Sequence, residues 1–325
     1  MEKGIVDLVL ATQETAERFA GIASYLYLSG CLISTIFQKN SSEEQKKEIL
    51  PKLARGELEI SIGLTEENSG FDSLSIESSA VEHGNKFVLN GSKTFVNNVD
   101  RADYLIIFAR TSPSTETKKS QGISMFFVDP KDRAIKSTKL DRLGYDFIGN
   151  FAMEFKDLVV SQDSLIGERD EGWHGIIESF NKDRVATSAS LVGTGKLALY
   201  QASEYANKRN IFNKPIGSNQ GIQFPMAHAM SELLCAEAMT LKAASLADSG
   251  ENFVNEANYA LYESVKAASD ATESALQAFG GHGYVRDYDV ERYWRDVRAH
   301  KVHPISTELL LASIAQKSLD LPKSY

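Results

Sequence analysis

The spacing of apolar residues divides the chain into three parts. From residue 5 to 57, apolar side chains recur every three or four positions, and Ser42 followed by two glutamates is typical of a helix start. From Leu58 to about Val160, short runs rich in β-branched and aromatic residues alternate with turn sequences, which predicts strands. Helical spacing then returns over roughly 171–209, 219–248, 252–279 and 287–321.

This order of helices, strands and helices predicts an α+β fold with segregated domains. We expect an N-terminal helical domain at 1–57, a compact antiparallel β domain at 58–160 and a C-terminal helical bundle at 161–325. Within the β domain, the sequence LNGSKT marks Asn90-Gly91 as the turn of a hairpin. A Rossmann domain is not expected, because no strand–GxGxxG–helix unit is present.

Charge and composition exclude several classes of protein. A net charge of −9 argues against nucleic acid as a main partner. No apolar run approaches the ~20 residues that span a bilayer, and the first residues lack the layout of a signal peptide. No Cys and His cluster has metal-ligand spacing, so no metal site is predicted. Cys31 and Cys235 lie in apolar helical surroundings and are expected to be buried free thiols in a reducing cytoplasm.

Two segments of the β domain are candidates for ligand binding. Thr65 ends a predicted strand and is followed by a loop with Gly70, where small residues let backbone N–H groups approach a phosphate or a heterocycle. Phe95 and Asn97 project to one face of a strand, where a ring and an amide would suit a planar cofactor. An ordinary turn and a half-buried strand face explain the same residues.

Two segments of the C-terminal bundle are also candidates. Arg209, Phe212 and Gln220 surround a loop between helices, and the guanidinium group fits phosphate oxygens, although a solvated surface charge is the simpler interpretation. Gly280-Gly281 ends a helix, which a C-cap explains. Three glycines within four residues, followed by RYWRD, exceed what a cap requires.

Taken together, the four segments resemble the acyl-CoA dehydrogenase family. The matching patterns are T-E-x-x-x-G-x-D, N-G-x-K-x-(aromatic)-(apolar)-x-N, R-x-x-F and Q-x-x-G-G-x-G-(Y/F), in family order and over nearly the whole chain. The resemblance implies a helical, β-barrel-like, helical subunit that binds FAD and assembles as a dimer or tetramer. It also implies that the first helices of the family's N-terminal domain are absent from this chain.

The resemblance assigns the FAD contacts residue by residue. The flavin ring is expected against Leu64, Thr65, Phe95 and Asn97, and the ribityl diphosphate against Gly70 and Phe71. The diphosphate and adenine of a neighbouring subunit's FAD are expected against Arg209, Phe212 and Gln220. The remaining contacts are expected from Gln277, Gly280, Gly281, Ser306 and Glu308. Three of these residues depart from the family, because Phe71, Phe95 and Asn97 stand where a small Ser, a Trp and a Thr or Ser hydroxyl are usual.

The catalytic base is the largest departure from the family pattern. Most members carry a Glu where this chain has Pro304, which supplies neither a carboxylate nor a backbone N–H. Some members keep the base on the helix that opens the C-terminal domain, directly before an Arg, and Asp183 with Arg184 matches that position. A plain Asp–Arg pair in a first helical turn, favoured by the helix dipole, is the alternative. Glu308 is a poorer candidate, because its counterpart points at the cofactor.

The resemblance predicts an oxidoreductase of fatty acid metabolism. It would convert an acyl thioester, on CoA or on a carrier protein, to the 2,3-enoyl product and pass electrons to an electron-transfer flavoprotein in the cytoplasm. An oxidase or hydroxylase of the same family is an alternative, since loss of the carbonyl donor would matter less for that chemistry. A catalytically silent subunit that binds flavin or pairs with a complete paralogue is the other alternative.

Overall fold

Two compact units make up the protein. The computed structural model describes residues 4–114, 119–303 and 305–323. The first unit contains the chain up to residue 31, residues 143–145 and everything from residue 181, and the second contains 32–142 and 146–180. The three-part division at residues 57 and 160 stays a prediction.

Helices flank a run of strands along the chain. The helices are α1 (Ile5–Ala16), α2 (Ala20–Tyr27), α3 (Ser34–Asn40), α4 (Glu43–Ala54), α5 (Gly172–Lys208), α6 (Gln220–Asp248), α7 (Val254–Phe279), α8 (Val290–Ala299) and α9 (Thr307–Ser318). The strands are β1 (Ile60–Gly63), β2 (Ser79–His83), β3 (Lys86–Asn97), β4 (Tyr104–Arg110), β5 (Ile123–Val128), β6 (Ile135–Lys139), β7 (Asn150–Ser161), β8 (Leu165–Ile166), β9 (Asn210–Ile211) and β10 (Lys214–Pro215). A π-helical turn, Leu28–Ile33, joins α2 to α3.

The predicted start of α4 is confirmed in atomic detail. The Ser42 Oγ accepts a hydrogen bond from the Gln45 N–H at 3.2 Å, and the Gln45 side chain accepts one from the Ser42 N–H at 3.1 Å. This reciprocal capping box satisfies two backbone donors that a helix N-terminus otherwise leaves without partners.

The first unit is a helical bundle whose central helix is α7. The buried face of α7 is rich in alanine, which lets neighbouring helices approach closely, and α6, α8 and α9 all pack against it. Between them, Leu233 of α6 and Leu261 and Val265 of α7 fill the core. The helix α1 packs on α6 and inserts the fully buried Val9.

The predicted helix over 287–321 is two helices. The first, α8, ends at Ala299, and α9 begins after Ser306, whose Oγ accepts a hydrogen bond from the Leu309 N–H. Pro304 itself lies outside the described residues. Because a proline disfavours helical backbone at the residue before it, the sequence already contains the cause of the break.

The second unit is built on an eight-stranded sheet with the order β6-β7-β3-β2-β4-β5-β8, and β1 pairs with β4. The interior strand β4 carries Leu105–Ala109, five consecutive residues with 0% exposure. A strand buried on both faces is continuously apolar rather than alternating, as this one is.

The sheet differs from the predicted antiparallel unit in two pairings. The strand β1 runs parallel to β4 from Ile60 to Gly63, and Ser79 of β2 pairs with Arg110 of β4 in parallel. The remaining neighbours in this sheet are antiparallel. The long segment from 64 to 78 carries the chain away from β1 before β2 begins, so β1 is free to pair with a later strand in the same direction.

The predicted hairpin turn at Asn90-Gly91 is wrong. Both residues lie inside β3, at a shift of its register with β7, and the turn between β2 and β3 is formed by Gly84 and Asn85. Gly84 has φ +64°, as a two-residue hairpin turn requires. Gly91 serves a different need, because a Cβ there would lie 2.2 Å from the Ser78 Oγ.

Two expectations about apolar segments also need correction. Cys31 is buried and forms no disulfide with a described residue, as predicted, but Cys235 is exposed on the outer face of α6. The helical stretch Ala20–Asn40 is long and apolar enough to cross a membrane by length and composition, contrary to the expectation from the sequence. Of its most apolar window, 61% is buried inside the protein.

The cost of an alanine at each of two glycines of the β2–β3 hairpin tests the places assigned to the turn and to the register shift. Gly91→Ala should lower the free energy of unfolding by roughly 3 kcal/mol, because strain and a clash with Ser78 add. Gly84→Ala, whose Cβ would meet nothing within 4 Å, should cost only about 1–2 kcal/mol of backbone strain. Urea unfolding of both variants gives the comparison, and equal costs would contradict the bulge at Gly91.

Candidate functional site

Asp183 is a buried carboxyl group without a hydrogen-bond partner for one of its oxygens. It lies well inside α5, is 4% exposed, and its Oδ1 has no partner within the described part of the chain. Because the helix dipole acts only on the terminal turn, it does not explain an Asp–Arg pair in the interior of the helix. A buried oxygen that accepts no hydrogen bond is costly, so it needs another explanation.

Burial dominates the electrostatics of Asp183. Desolvation raises the pKa of its carboxyl to about 7, and the positive charge of Arg184 opposes the shift. The Arg184 guanidinium donates to the Oδ1 atoms of Asn181 at 2.9 Å and of Asn258 at 3.1 Å. Asp183 therefore titrates near neutrality, in the range that suits a general base.

The sequence did not identify the residues that surround Asp183. Tyr27 of α2 and Cys31 of the π-helical turn pack with Ala186 of α5 in one buried cluster. Burial raises the pKa of both Tyr27 and Cys31, and the negative charge of Asp183 raises each further. Of these three groups, only Asp183 therefore changes its charge near neutral pH. The four-residue spacing of Tyr27 and Cys31 could have indicated a shared helix face.

In the second unit, the end of β1 lies beside β3, and this brings two predicted flavin segments together. The Thr94 N–H donates to the Thr65 carbonyl at 2.8 Å, and the Lys93 Nζ donates to the Leu64 carbonyl at 3.1 Å. The Thr65 hydroxyl has no hydrogen-bond partner among the described residues. The backbone of 64–65 is thus fixed against 93–94, while the Thr65 side chain is available to a ligand.

Phe95 and Asn97 have the features that a flat heterocycle requires. Phe95 is held at φ +57° with its ring 59% exposed. The Asn97 Oδ1 accepts from the Asn150 Nδ2 at 2.8 Å, which fixes the amide plane, and the Asn97 NH₂ group has no acceptor within the described residues. An exposed ring and an oriented, unused donor fit an aromatic ligand with acceptor atoms at its edge.

Gly70 and Phe71 lie on the open side of the loop that follows β1. A Cβ added at Gly70 would meet nothing within 4 Å, and Phe71 is 64% exposed. Space is therefore available beside this backbone for a bulky group such as a diphosphate.

In the first unit, the hairpin of β9 and β10 holds Phe212 and Arg209 out to solvent. Phe212 is 92% exposed at φ +51°, and the Arg209 guanidinium has no partner in the part of the chain that the structure describes. Gln220, the first residue of α6, is also exposed. Phe212 and Asn213, both at positive φ, form the two-residue turn of this hairpin, so the turn accounts for the backbone conformation and leaves the phenyl ring exposed.

A cleft of about 200 Å³ lies between α6 and α7, and one predicted residue, Gln277, lines it. Its lining includes Gln277 and Gly221, the neighbour of Gln220. Gly280 ends α7 at φ +58°, and a Cβ at Gly280 or Gly281 would meet no atom within 4 Å. A side chain at either glycine would therefore meet no neighbouring atom.

The two residues predicted at the end of the site have structural partners. Ser306 is fully buried and caps α9, while Glu308 is exposed in the first turn of α9 and accepts a hydrogen bond from the Thr307 hydroxyl at 3.1 Å. The role of Ser306 and Glu308 in cofactor binding stays a prediction, as do the other assigned contacts.

Comparison with known proteins identifies the family. The profile of the N-terminal domain of acyl-CoA dehydrogenase matches residues 1–57, that of the middle domain matches 61–158, and that of the C-terminal domain matches 170–319. The acyl-CoA dehydrogenase FadE12 of Mycobacterium tuberculosis is 32% identical over 99% of this chain and 83% of its own length. The 3-(aryl)acrylate reductase of Clostridium sporogenes is 32% identical over 94% of this chain and 81% of its own.

Solved structures agree with this relationship. Butyryl-CoA dehydrogenase from Megasphaera elsdenii matches with a TM-score of 0.90 and 28% identity, over 96% of this chain and 81% of its own. A chain from the study of the electron transferring flavoprotein of Acidaminococcus fermentans matches with a TM-score of 0.92 and 28% identity, over 98% and 83%. The prolyl acyl carrier protein oxidase AnaB matches with a TM-score of 0.91 and 26% identity, over 99% and 85%.

The fold and the matched domains define an oxidoreductase of the flavoprotein class. The chain belongs to the acyl-CoA dehydrogenase family, and the α+β fold predicted from the sequence is confirmed.

The raised pKa of Asp183 predicts a pH-dependent effect of its removal. A carboxyl whose folded-state pKa exceeds its unfolded value of about 3.9 stabilises the fold fully below that value, and the contribution is lost as pH rises to about 7. Asp183→Asn has no such loss. Relative to wild type, the variant should gain roughly 2 to 3 kcal/mol in free energy of unfolding between about pH 5 and pH 7.5.

Urea unfolding at the two pH values measures this difference. Asp287→Asn, at an exposed position of the same unit, is the matched control and should show no comparable gain. A pH-independent difference for Asp183→Asn would mean that the carboxyl ionises normally in the folded protein.

Proposed function

We propose that the protein is an FAD-dependent dehydrogenase that converts an acyl thioester to its 2,3-enoyl product, with Asp183 as the base. The observation that carries the proposal is the environment of Asp183, a carboxyl in a desolvated cluster, one oxygen of which has no hydrogen-bond partner among the described residues. The α-hydrogens of a thioester are weakly acidic, so their removal needs a base that water does not solvate.

Asp183 meets the chemical requirements of that base. Its raised pKa leaves a substantial ionised fraction near neutral pH while making the carboxylate a stronger proton acceptor than a solvated Asp. The free Oδ1 needs no hydrogen bond to be broken before it takes the α-proton. The hydrogen bonds of Arg184 to Asn181 and Asn258 hold the neighbouring cation in place.

Neither other candidate offers a comparable group. Proline at position 304 has no ionisable side chain and no N–H for the thioester carbonyl. Glu308 is exposed, and its own backbone N–H, followed by the hydroxyl groups of Thr307 and Ser306, lowers the pKa of its carboxyl. A carboxylate stabilised in this way is a weaker base than Asp183.

The residues of both units suit FAD as the cofactor. The Asn97 amide and the exposed ring of Phe95 would receive the flavin ring, and the open backbone at Gly70 the diphosphate. Arg209 and Phe212, exposed on the first unit, would bind the FAD of a neighbouring subunit, which is consistent with a dimer or tetramer. When bound, FAD supplies the hydride acceptor of the reaction.

The likeness to other proteins extends the proposal to partners. One matched structure comes from a study of an electron transferring flavoprotein, and we propose such a flavoprotein in the cytoplasm as the electron acceptor. The likeness to AnaB, a prolyl acyl carrier protein oxidase, favours a second candidate function, an oxidase acting on a carrier-bound thioester. Rapid reoxidation of the reduced flavin by oxygen would favour the oxidase.

Anaerobic mixing of the holoenzyme with a panel of acyl-CoA and acyl-pantetheine thioesters tests the proposal. We expect the visible flavin band to bleach with at least one thioester. Asp183→Asn should bind FAD normally but reduce it about 10²- to 10⁴-fold more slowly, because the base is lost. Asp183→Glu should keep more activity than the Asn variant, and Asp287→Asn should match wild type. Undiminished bleaching by Asp183→Asn would refute the role of Asp183.

A further inference from the structure

Lys93 and Glu66 form a buried ion pair in the second unit. The Lys93 Nζ lies 2.6 Å from the Glu66 Oε1, and the two side chains are 0% and 9% exposed. Burial lowers the pKa of Lys93 to about 8, and Glu66 opposes the shift. Both residues belong to patterns that carried the family resemblance, but the sequence alone gave neither of them a role.

Glu66 ties together the two ends of the loop between β1 and β2. Besides Lys93, its carboxylate accepts hydrogen bonds from the Glu77 N–H at 2.6 Å and the Ser78 N–H at 3.0 Å. Its own N–H donates to the Ser69 Oγ at 3.3 Å. One buried carboxylate therefore closes the loop from 66 to 78.

Lys93 connects this closed loop to β3. Its ammonium group donates to the Leu64 carbonyl at 3.1 Å as well as to Glu66, and the Thr94 N–H next to it donates to the Thr65 carbonyl at 2.8 Å. Arg110, the last residue of β4, also binds this loop, since its guanidinium donates to the carbonyl oxygens of Ile76, at 3.0 Å, and Leu74.

A buried ion pair of this kind adds little to the stability of the fold, but it fixes the relative position of the segments that it joins. Taking two charges out of water costs several kcal/mol, and a neutral or apolar pair of similar volume often stabilises a fold as well. Directed hydrogen bonds from one ammonium to a carbonyl and a carboxylate, in contrast, fix the relative position of two backbone segments. Those segments, 64–65 and 94–97, carry the proposed flavin contacts.

We propose that the Lys93–Glu66 pair is a positioning site that fixes the two flavin-binding segments of the second unit against each other. This inference rests on FAD binding as proposed above. Lys93 and Glu66 would not contact the cofactor themselves. They act through the Leu64 and Thr65 backbone and through the strand that carries Phe95 and Asn97.

Neutral variants separate positioning from stability. Lys93→Met and Glu66→Gln should each weaken FAD binding at least tenfold, measured by the fluorescence of FAD titrated with apoprotein. The double variant, Lys93→Met with Glu66→Gln, leaves no unpaired buried charge and should recover most of the unfolding stability lost by the single variants. Its FAD affinity should stay at least tenfold below wild type.

A second ion pair supplies the matched control. Lys196 of the helical bundle is 8% exposed and lies 2.8 Å from Glu237. Lys196→Met should destabilise the protein to urea while keeping FAD affinity within about twofold of wild type, because the ion-pair partners of Lys196 are Glu17 and Glu237, neither of which is a proposed FAD contact.

The outcomes distinguish this inference from the function on which it rests. Wild-type protein that binds no FAD would overturn both. Wild-type protein that binds FAD, together with a double variant of unchanged affinity, would overturn the positioning role alone. If Lys196→Met weakened FAD binding as strongly as Lys93→Met, the effect would be one of general stability, and the inference would be wrong.

Discussion

Removing carboxyl groups from water is the physical constraint on which the site of this protein depends. Asp183 and Glu66 are both buried, yet the chain treats them in opposite ways. Asp183 keeps an oxygen that finds no hydrogen-bond partner in the described part of the chain, and burial raises the pKa of its carboxyl. For Glu66, burial alone would raise the pKa, but the attraction of Lys93 and the hydrogen bonds it receives hold it below its usual value.

This contrast separates a group poised for chemistry from a group that holds structure. A carboxylate with satisfied oxygens is a weak base, and its bonds fix the surrounding backbone. A buried carboxylate without partners is destabilised by the loss of water, and accepting a proton relieves this destabilisation. Carboxyl groups with pKa values shifted in this way are common at functional sites. Tyr27 and Cys31 are both held protonated near neutral pH, so neither adds a negative charge beside Asp183.

Local signals in the sequence predicted much of the fold and part of the site. The cap at Ser42, the glycine turn at Gly280 and the long helices of the bundle follow from spacing and capping, which are properties of neighbouring residues. The β domain was predicted less well. Asn90-Gly91 is a strong hairpin signal, but the contact of Gly91 with Ser78 is long-range and cannot be read from a local pattern.

The burial and the partners of the site residues could not be predicted from the sequence. Asp183 was selected by its place before an arginine, whereas its burial depends on Tyr27 and Cys31, more than 150 positions away in the chain. The Lys93–Glu66 pair likewise joins residues 27 positions apart. Matching a motif gives the residue types, while partners and solvent exposure are set by the folded chain.

Exchange of a thioester's α-hydrogens with deuterated solvent reports the action of the base by itself, because it requires no electron acceptor. The anaerobic holoenzyme would be incubated with a thioester that bleaches its flavin, and deuterium incorporation followed by NMR. If Asp183 is the base, wild type and Asp287→Asn will exchange these hydrogens, and Asp183→Asn will do so at least a hundredfold more slowly. Equal exchange rates in wild type and Asp183→Asn would mean that another group is the base.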